Sequence, residues 1–158
     1  MKHYSRVKAT GLSFFAALAA TSVTLPAFAA LGGDAASVDA DVAKMRGQAR
    51  ATAVSGYTVS EITLPSGTVV NEYVSSEGKV FAVTWHGMSM PDLSQTLGTY
   101  FAEYKAAASA TPHASHHNLT VQQPDLVVHT GGHMRAWRGI AYAPALLPPN
   151  FSLDEIKQ

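Results

Sequence analysis

Three histidines lie within five positions of one another in the polar segment of residues 109–118, which reads SATPHASHHN. Neutral imidazoles bind zinc, copper and nickel, and His113, His116 and His117 are close enough in sequence to chelate one ion. A specific site normally needs further ligands held by hydrogen-bonded neighbours, yet this segment contains no cysteine or carboxylate. Two interpretations stay open: a divalent-metal site, or, as we favour, a solvated connector that binds metal only adventitiously. No other cofactor is predicted.

A second group of aromatic and basic side chains flanks the ends of two predicted hairpins. Its members are Trp85, His86, His133, Arg135 and Trp137. If the two hairpins are neighbours in one sheet, Arg135 can bind a carboxylate or phosphate beside a tryptophan platform. The structural alternative places Trp85 in the core and leaves His133 and Arg135 exposed at a hairpin tip. We predict these five as candidate ligand- or partner-binding residues, and only geometry can decide between the two interpretations.

Signatures of catalysis are lacking in the sequence. The chain has no cysteine, and Ser66 and Ser76 lie in predicted turns rather than in a G-x-S-x-G motif. No glycine-rich loop follows a strand and opens a helix, which a phosphate-binding loop requires. No catalytic residue is therefore predicted, and an enzyme is a weaker alternative than a binding module.

Residues 57–87 predict three antiparallel strands joined by two tight turns. Pro65 and Gly67 fit a type I turn closed by a glycine bulge, and Gly78 ends a four-residue loop. Because side chains alternate along a strand, the expected core face carries Ile62, Leu64, Val70, Val74, Phe81, Val83 and Trp85, with Val70 aligned to Val83. The second face carries Val59, Val69, Tyr73, Val80 and Ala82, and exposure of its apolar members would mark a contact surface.

The same register places Glu72 on the expected core face, beside Phe81. A buried carboxylate costs free energy unless it is paired. We therefore expect either that Glu72 sits at an open rim of the sheet or that the register slips by one residue. Both are favoured over a catalytic acid.

One long helix is predicted after these strands. Ser89 and Asp92 resemble a capping box, and apolar residues then recur at helical spacing to about Ala108. A shorter N-terminal helix begins at Ser37 and stops near Gly47.

Residues 125–142 predict a C-terminal hairpin that turns at Gly131 and Gly132, after a short strand at residues 119–122. In that register Asp125 faces Arg138 and forms an exposed cross-strand ion pair. Strands clustered in runs indicate an α+β fold, in which an antiparallel sheet of a meander plus a C-terminal hairpin packs on the long helix. A closed barrel is the alternative.

Residues 1–29 predict a signal peptide. A basic start is followed by an apolar run too short to span a bilayer comfortably, and Ala27 and Ala29 supply a small-x-small cleavage pattern. We expect residues 30–158 to form a single domain, periplasmic or secreted, without a transmembrane anchor. Loss of Lys2, Arg6 and Lys8 with the leader leaves a net negative charge, which argues against nucleic acid as a partner.

Several sequence blocks resemble one known family. They are ALGGDAASVDAD, the stretch of residues 57–87, PDLSQTLGTYFAEY, QPDLVVHTGGHMRAWRGIAYAP and LLPP. As a set they are similar to domain-of-unknown-function family 2844, which consists of small exported proteins of proteobacteria. The resemblance implies a location in the bacterial envelope and assigns no activity, substrate or site residue.

Together these observations predict a non-catalytic binding or assembly module of the cell envelope. Its partner would be an envelope protein or another envelope component, and the sequence does not indicate an oligomeric state. Metal binding through His113, His116 and His117 is the first alternative, and a small envelope enzyme is the second.

Overall fold

The computed structural model describes residues 30–111, 118–149 and 151–156. Within them lie the strands β1 (Gln48–Val54), β2 (Tyr57–Thr63), β3 (Val69–Ser75), β4 (Val80–Gly87), β5 (Asn118–Gln122), β6 (Val127–His133) and β7 (Ala136–Tyr142). The helices are α1 (Val38–Lys44), α2 (Leu93–Leu97) and α3 (Phe101–Ala110), with 3-10 turns at Ala35–Ser37, Gly98–Tyr100, Pro144–Leu146 and Leu153–Glu155.

All seven strands form one sheet in the order β1-β2-β3-β4-β7-β6-β5, and every neighbouring pair is antiparallel. The predicted α+β class with an antiparallel sheet is confirmed. No helix in the described ranges is long and apolar enough to cross a membrane.

A bulge between β3 and β4 decides which side chains reach which face of the sheet. Val74 pairs with Val80, whereas Tyr73 pairs with Ala82, so β4 carries one extra residue, Phe81, at this point. An extra residue in one strand locally interrupts the alternation of side chains. As a result, Val80 packs with Val74 on one face, and Phe81 packs with Tyr73 on the other.

The predicted register of β4 on β3 is wrong by two residues, and the bulge accounts for one of them. The strands β2 and β3 are aligned as predicted. The loop that follows β3 is one residue shorter than predicted, since the Ser75 N–H donates to the Lys79 carbonyl, and beyond the bulge Val70 pairs with Trp85 rather than with Val83. Val80 and Phe81 therefore exchange their predicted faces. No turn residue or glycine marks the bulge in the sequence. A regular alternation of side chains between the two faces is therefore the natural prediction for β4, and it fails at this point.

The first face of the sheet carries the larger core and is covered by the three helices. Its buried members are Leu31, Ile62, Val70, Val74, Val80, Val83, Trp85, Leu97, Leu119, Val121, Leu126, Val128, Ala141 and Ala143. The helix α1 packs on this core through Val38 and Val42, while α2 and α3 contribute Leu93, Phe101 and Tyr104.

The predicted single long helix is interrupted. It begins at Asp92, whose side chain accepts a hydrogen bond from the Ser94 N–H at 2.9 Å, while Ser89 bonds Thr68 instead of capping the helix. At Gly98 the backbone takes a φ of 51°, and a Cβ there would lie 2.4 Å from the Ala30 Cβ. The close approach of the N-terminal segment thus separates α2 from α3.

The second face is covered by the C-terminal segment rather than left open. Tyr73, Phe81, Ala82 and Ile156 form its buried centre, with Phe151 and Leu153 packed against them. The Phe151 ring lies 4.8 Å from the Phe81 ring, centroid to centroid, at a steep angle. Tyr73 is only 8% exposed, so the apolar part of this face is not the open contact surface that its sequence would have allowed.

The C-terminal hairpin turns at Met134 and Arg135, because His133 pairs with Ala136. The predicted turn at the two preceding glycines is wrong. Gly132 is a strand residue whose added Cβ would lie 2.2 Å from the Ala136 carbonyl oxygen, so it permits a close approach rather than a reversal.

The predicted ion pair between Asp125 and Arg138 is wrong for the same reason. Arg138 lies opposite Gly131 on β6 and His86 on β4. Asp125 precedes the start of β6, which is at the other end of the sheet.

The strand β1 was not predicted. It forms one edge of the sheet, and all seven of its residues are exposed. Its sequence QARATAV alternates polar residues with alanines, but alanine is depleted in strands and carries little apolar surface, so the strand signal is weak.

The docking of the C-terminal segment can be tested with Phe151→Ala. The change removes a ring that contacts both Phe81 and Tyr57, and we expect a loss of about 2 kcal/mol in the free energy of unfolding by urea, less than for a fully buried ring. Val54→Ala, on the exposed edge strand, serves as the control and should change stability by less than about 0.5 kcal/mol. Equal effects of the two variants would contradict the docking of this segment.

Candidate functional site

Four of the five predicted binding residues meet at one end of the sheet. His86, His133, Arg135 and Trp137 line an open depression of about 410 Å³, together with Arg138 and the backbone at Gly87 and Gly132. The pairing of β4 with β7 brings them together, since it places His86 opposite Arg138 and Gly87 opposite Trp137. The expectation that the two hairpins are neighbours is therefore met, although their register is not the predicted one.

Trp85, the fifth residue, is in the core. It is 1% exposed, and a Cβ added at Gly139 would lie 2.2 Å from its ring. The indole packs where β7 has no side chain, and its Nε1 has no hydrogen-bond partner in the described part of the chain. Trp85 is therefore a core residue, which is the alternative that the sequence analysis gave for it.

Arg135 is exposed at the hairpin tip. Its φ of 69° places it in the left-handed region, which costs non-glycine residues free energy because Cβ crowds the following carbonyl. Its neighbour Met134 is 82% exposed. Arg135 thus borders the depression from the turn rather than from the body of the sheet.

Arg138, which was not predicted as a site residue, occupies the centre. It lines the depression already described, a second of about 210 Å³ with His129 and Asn118, and a third of about 370 Å³ with Asn71 and Thr84. Because side chains alternate between the two faces along a strand, Arg138 lies on the same face of the sheet as His86 and His129. We call these residues, His86, His129 and Arg138, the arginine surface.

The arginine surface adjoins the apolar cover of the second face. Ile156 borders two of the three depressions, next to polar side chains. Asn71 Nδ2 donates to Thr84 Oγ1 at 3.4 Å, and Thr120 Oγ1 is 3.1 Å from His129 Nδ1.

In the described part of the chain, the formally charged side chains that line this surface are all arginines. No aspartate or glutamate lines any of the three depressions, and no carboxylate in the described residues forms an ion pair with Arg138. A guanidinium donates up to five hydrogen bonds in a planar fork that matches carboxylate and phosphate oxygens. Chemically, the arrangement can bind an anion.

Sequence reasoning missed Arg138 because the predicted hairpin register paired it with Asp125. Placing the turn at Met134 and Arg135 would have separated Arg138 from Asp125 and set it opposite Gly131. Its other neighbour, His86, follows from the pairing of β7 with β4, for which the sequence contains no local signal.

The predicted metal ligands His113, His116 and His117 lie outside the described residues, as does the predicted signal peptide. Within the described ranges there is no group of three or more histidine, aspartate or glutamate side chains that could hold a metal ion. Metal binding through the three histidines stays a prediction.

Glu72 is not at a rim, and the changed register between β3 and β4 leaves it on the expected core face, opposite Val83 instead of Phe81. It lies on the first face, completely buried, opposite Ser60 and Val83. Burial, reinforced by the nearby Asp41 carboxylate, raises the pKa of Glu72 to about 8. Burial also raises the pKa of Asp41, against the opposing effect of Lys44.

The role of Arg135 can be tested by comparing Arg135→Gly with Arg50→Gly. Glycine in the exposed strand β1 should cost roughly 0.5 to 1 kcal/mol in unfolding free energy. At Arg135 the same change also relieves the left-handed strain, worth about 1 kcal/mol, so stability should stay constant or rise. Urea denaturation measures both. A larger loss at Arg135 than at Arg50 would show that its guanidinium holds the turn through contacts.

Comparison with known proteins assigns the chain to a family without assigning a function. No curated protein and no solved structure matches it. The family profile described as "Protein of unknown function (DUF2844)" matches residues 27–156, which is most of the chain. The chain therefore belongs to the DUF2844 family, as its sequence blocks had indicated.

Proposed function

We propose that this protein is a non-catalytic binding module that takes an anionic group at the arginine surface. The observation that carries the proposal is Arg138, an exposed arginine at the junction of three depressions whose described lining residues include no aspartate or glutamate. Arginines in strands commonly meet a carboxylate on a neighbouring strand. Here the positions directly across from Arg138 are His86 and Gly131, neither of which is acidic.

The neighbouring groups complement the guanidinium. His86 and His129 add imidazole nitrogens that can donate hydrogen bonds, and Asn71 and Thr84 add an amide and a hydroxyl at the edge of the third depression. A charge-assisted hydrogen bond contributes about 1.5 to 3 kcal/mol. Several such donors around one shallow surface suit a carboxylate or phosphate carried by a larger envelope molecule.

The side chains of the largest of the three depressions support binding rather than catalysis. Its lining residues are His86, Gly87, Met88, Gly132, His133, Arg135, Ala136, Trp137 and Arg138. None of these offers a hydroxyl, thiol or carboxylate nucleophile, although His86 and His133 can transfer protons. An enzyme using His86 and His133 would have to obtain that group from its substrate or from elsewhere.

The proposed location is the bacterial envelope, outside the cytoplasmic membrane. Support comes from the signal-peptide pattern of residues 1–29 and from the resemblance to exported family members. Envelope components are rich in carboxylate and phosphate groups, which fits the chemistry of the arginine surface. The partner in this proposal is an anionic envelope component.

The proposal predicts that Arg138→Gln weakens anion binding and Arg50→Gln does not. Both substitutions remove one positive charge from an exposed strand residue, so they alter net charge equally. With inorganic phosphate as the probe at constant ionic strength, amide resonances of His86, His129 and Arg138 should shift in NMR titrations. The affinity of the Arg138→Gln variant should fall by about tenfold, the equivalent of one lost charge-assisted hydrogen bond.

Two results would overturn the proposal. One is that the two variants bind phosphate equally well. The other is that the chemical-shift changes are spread over the basic residues of the whole surface rather than centred on β4, β6 and β7.

A further inference from the structure

Two carboxyl groups are buried in the core beneath the N-terminal helix, near enough for the charge of Asp41 to act on Glu72. Asp41 projects from α1 and Glu72 from β3, and both residues are completely buried. None of their four carboxyl oxygens has a hydrogen-bond partner in the described part of the chain. We call Asp41 and Glu72 the acid pair. It is separate from the arginine surface, which lies on the opposite face of the sheet.

The surroundings of the acid pair do not neutralise two negative charges. The strand neighbours of Glu72 are Ser60 and Val83, which are uncharged. Lys44, one turn along α1, is the basic group that acts on Asp41, and its own residue is exposed. Two like charges in a site of low polarity repel each other and both lose hydration.

The attachment of α1 differs from that of the segments on either side of it. Before it, the chain is fixed to β4 by backbone hydrogen bonds from the Gly32 N–H to the Val80 carbonyl and from the Ala35 N–H to the Gly78 carbonyl. After it, β1 is paired with β2 along its whole length. The helix itself packs on the core through Val38 and Val42, so it can leave the sheet while both flanks stay in place.

We propose that the acid pair is a proton-controlled contact that keeps α1 docked only while at least one of the two carboxyl groups is protonated. When both are ionised, Asp41 gains by moving into water, and α1 carries it there. The segment between the fixed flanks then opens locally, without unfolding of the sheet.

The direction of the pH dependence follows from the raised pKa of Glu72. Its unfolded-state pKa is near 4.5 and its folded-state pKa is about 8, so the docked state binds more protons than the open state between these values. Docking is therefore most stable below pH 4.5 and weakens as pH rises toward 8. Over that window the docking equilibrium can change by up to about tenfold per pH unit.

Opening would uncover a defined part of the first face. The helix α1 and the turn before it form one wall of a groove of about 520 Å³, whose floor includes Ala51, Ser60 and Val74. Undocking of α1 would widen this groove toward Glu72. The local opening therefore exposes a surface rather than merely loosening a terminus.

The experiment uses single cysteines, because the chain has none of its own. Val42→Cys places a thiol on the docked side of α1, and Ala43→Cys places one on the exposed side of the same helix. The ratio of their labelling rates with a thiol reagent cancels the shared rise of thiolate reactivity with pH. We expect protection of Cys at position 42 to fall by at least about tenfold between pH 6 and pH 9.

The matched variant is Glu72→Gln, which keeps the shape of the side chain and cannot ionise. In that background the protection at position 42 should stay nearly constant over the same pH range. A fall as large as in the protein with Glu72 would overturn the proposal, as would constant protection in both backgrounds.

Asp41→Asn provides a second background in case Glu72→Gln folds poorly. In this background the side chain at position 41 is a neutral amide. Ionisation of Glu72 then no longer places two negative charges close together, so protection at position 42 should persist to higher pH. A pH profile identical to that of the protein with Asp41 would also overturn the proposal.

Discussion

The bulge between β3 and β4 is the feature on which the rest of the structure depends. In a regular strand Val80 would lie on the second face and Phe81 on the first. Neither side chain would then reach the core in which it packs. With the extra residue, Val80 completes the core under the helices, and Phe81 receives the aromatic side chains of the C-terminal segment. One inserted residue thus gives both faces of the central strands a core of their own.

Local chemistry explains how much of this fold could be predicted. The turns around Gly67 and Gly78 are encoded in adjacent residues, and β2, β3 and β4 were found from them. All residues of the edge strand β1 are exposed, and the apolar positions of its alternating sequence are alanines, which give only a weak strand signal. At Gly132 a glycine that serves a close approach resembles one that serves a turn. Only the tertiary pairing of β7 with β4 distinguishes the two.

The candidate site, too, could be predicted where it depends on local sequence and not where it depends on tertiary pairing. His86, His133, Arg135 and Trp137 could be grouped from their positions near the ends of hairpins, and they do line one depression. Arg138 could not be placed with them, because its neighbours depend on the turn position. Glu72 was correctly assigned to the core face, but general cost arguments favoured moving it out. The structure instead keeps the carboxyl group in the core near Asp41, where burial raises its pKa and favours the uncharged form.

The strand order divides the sheet into two runs that are each sequential along the chain, β1 to β4 and β5 to β7. Within each run, partners are joined by short connections, so their pairing closes small loops. Joining β4 to β7 instead closes a loop of roughly fifty residues, and the entropy lost in loop closure grows with loop length. Among the strand pairings, the long-range part is therefore concentrated at this one seam, the same seam at which His86 is paired with Arg138. In folding, the surface proposed to bind anions comes into being only when the two halves of the sheet join.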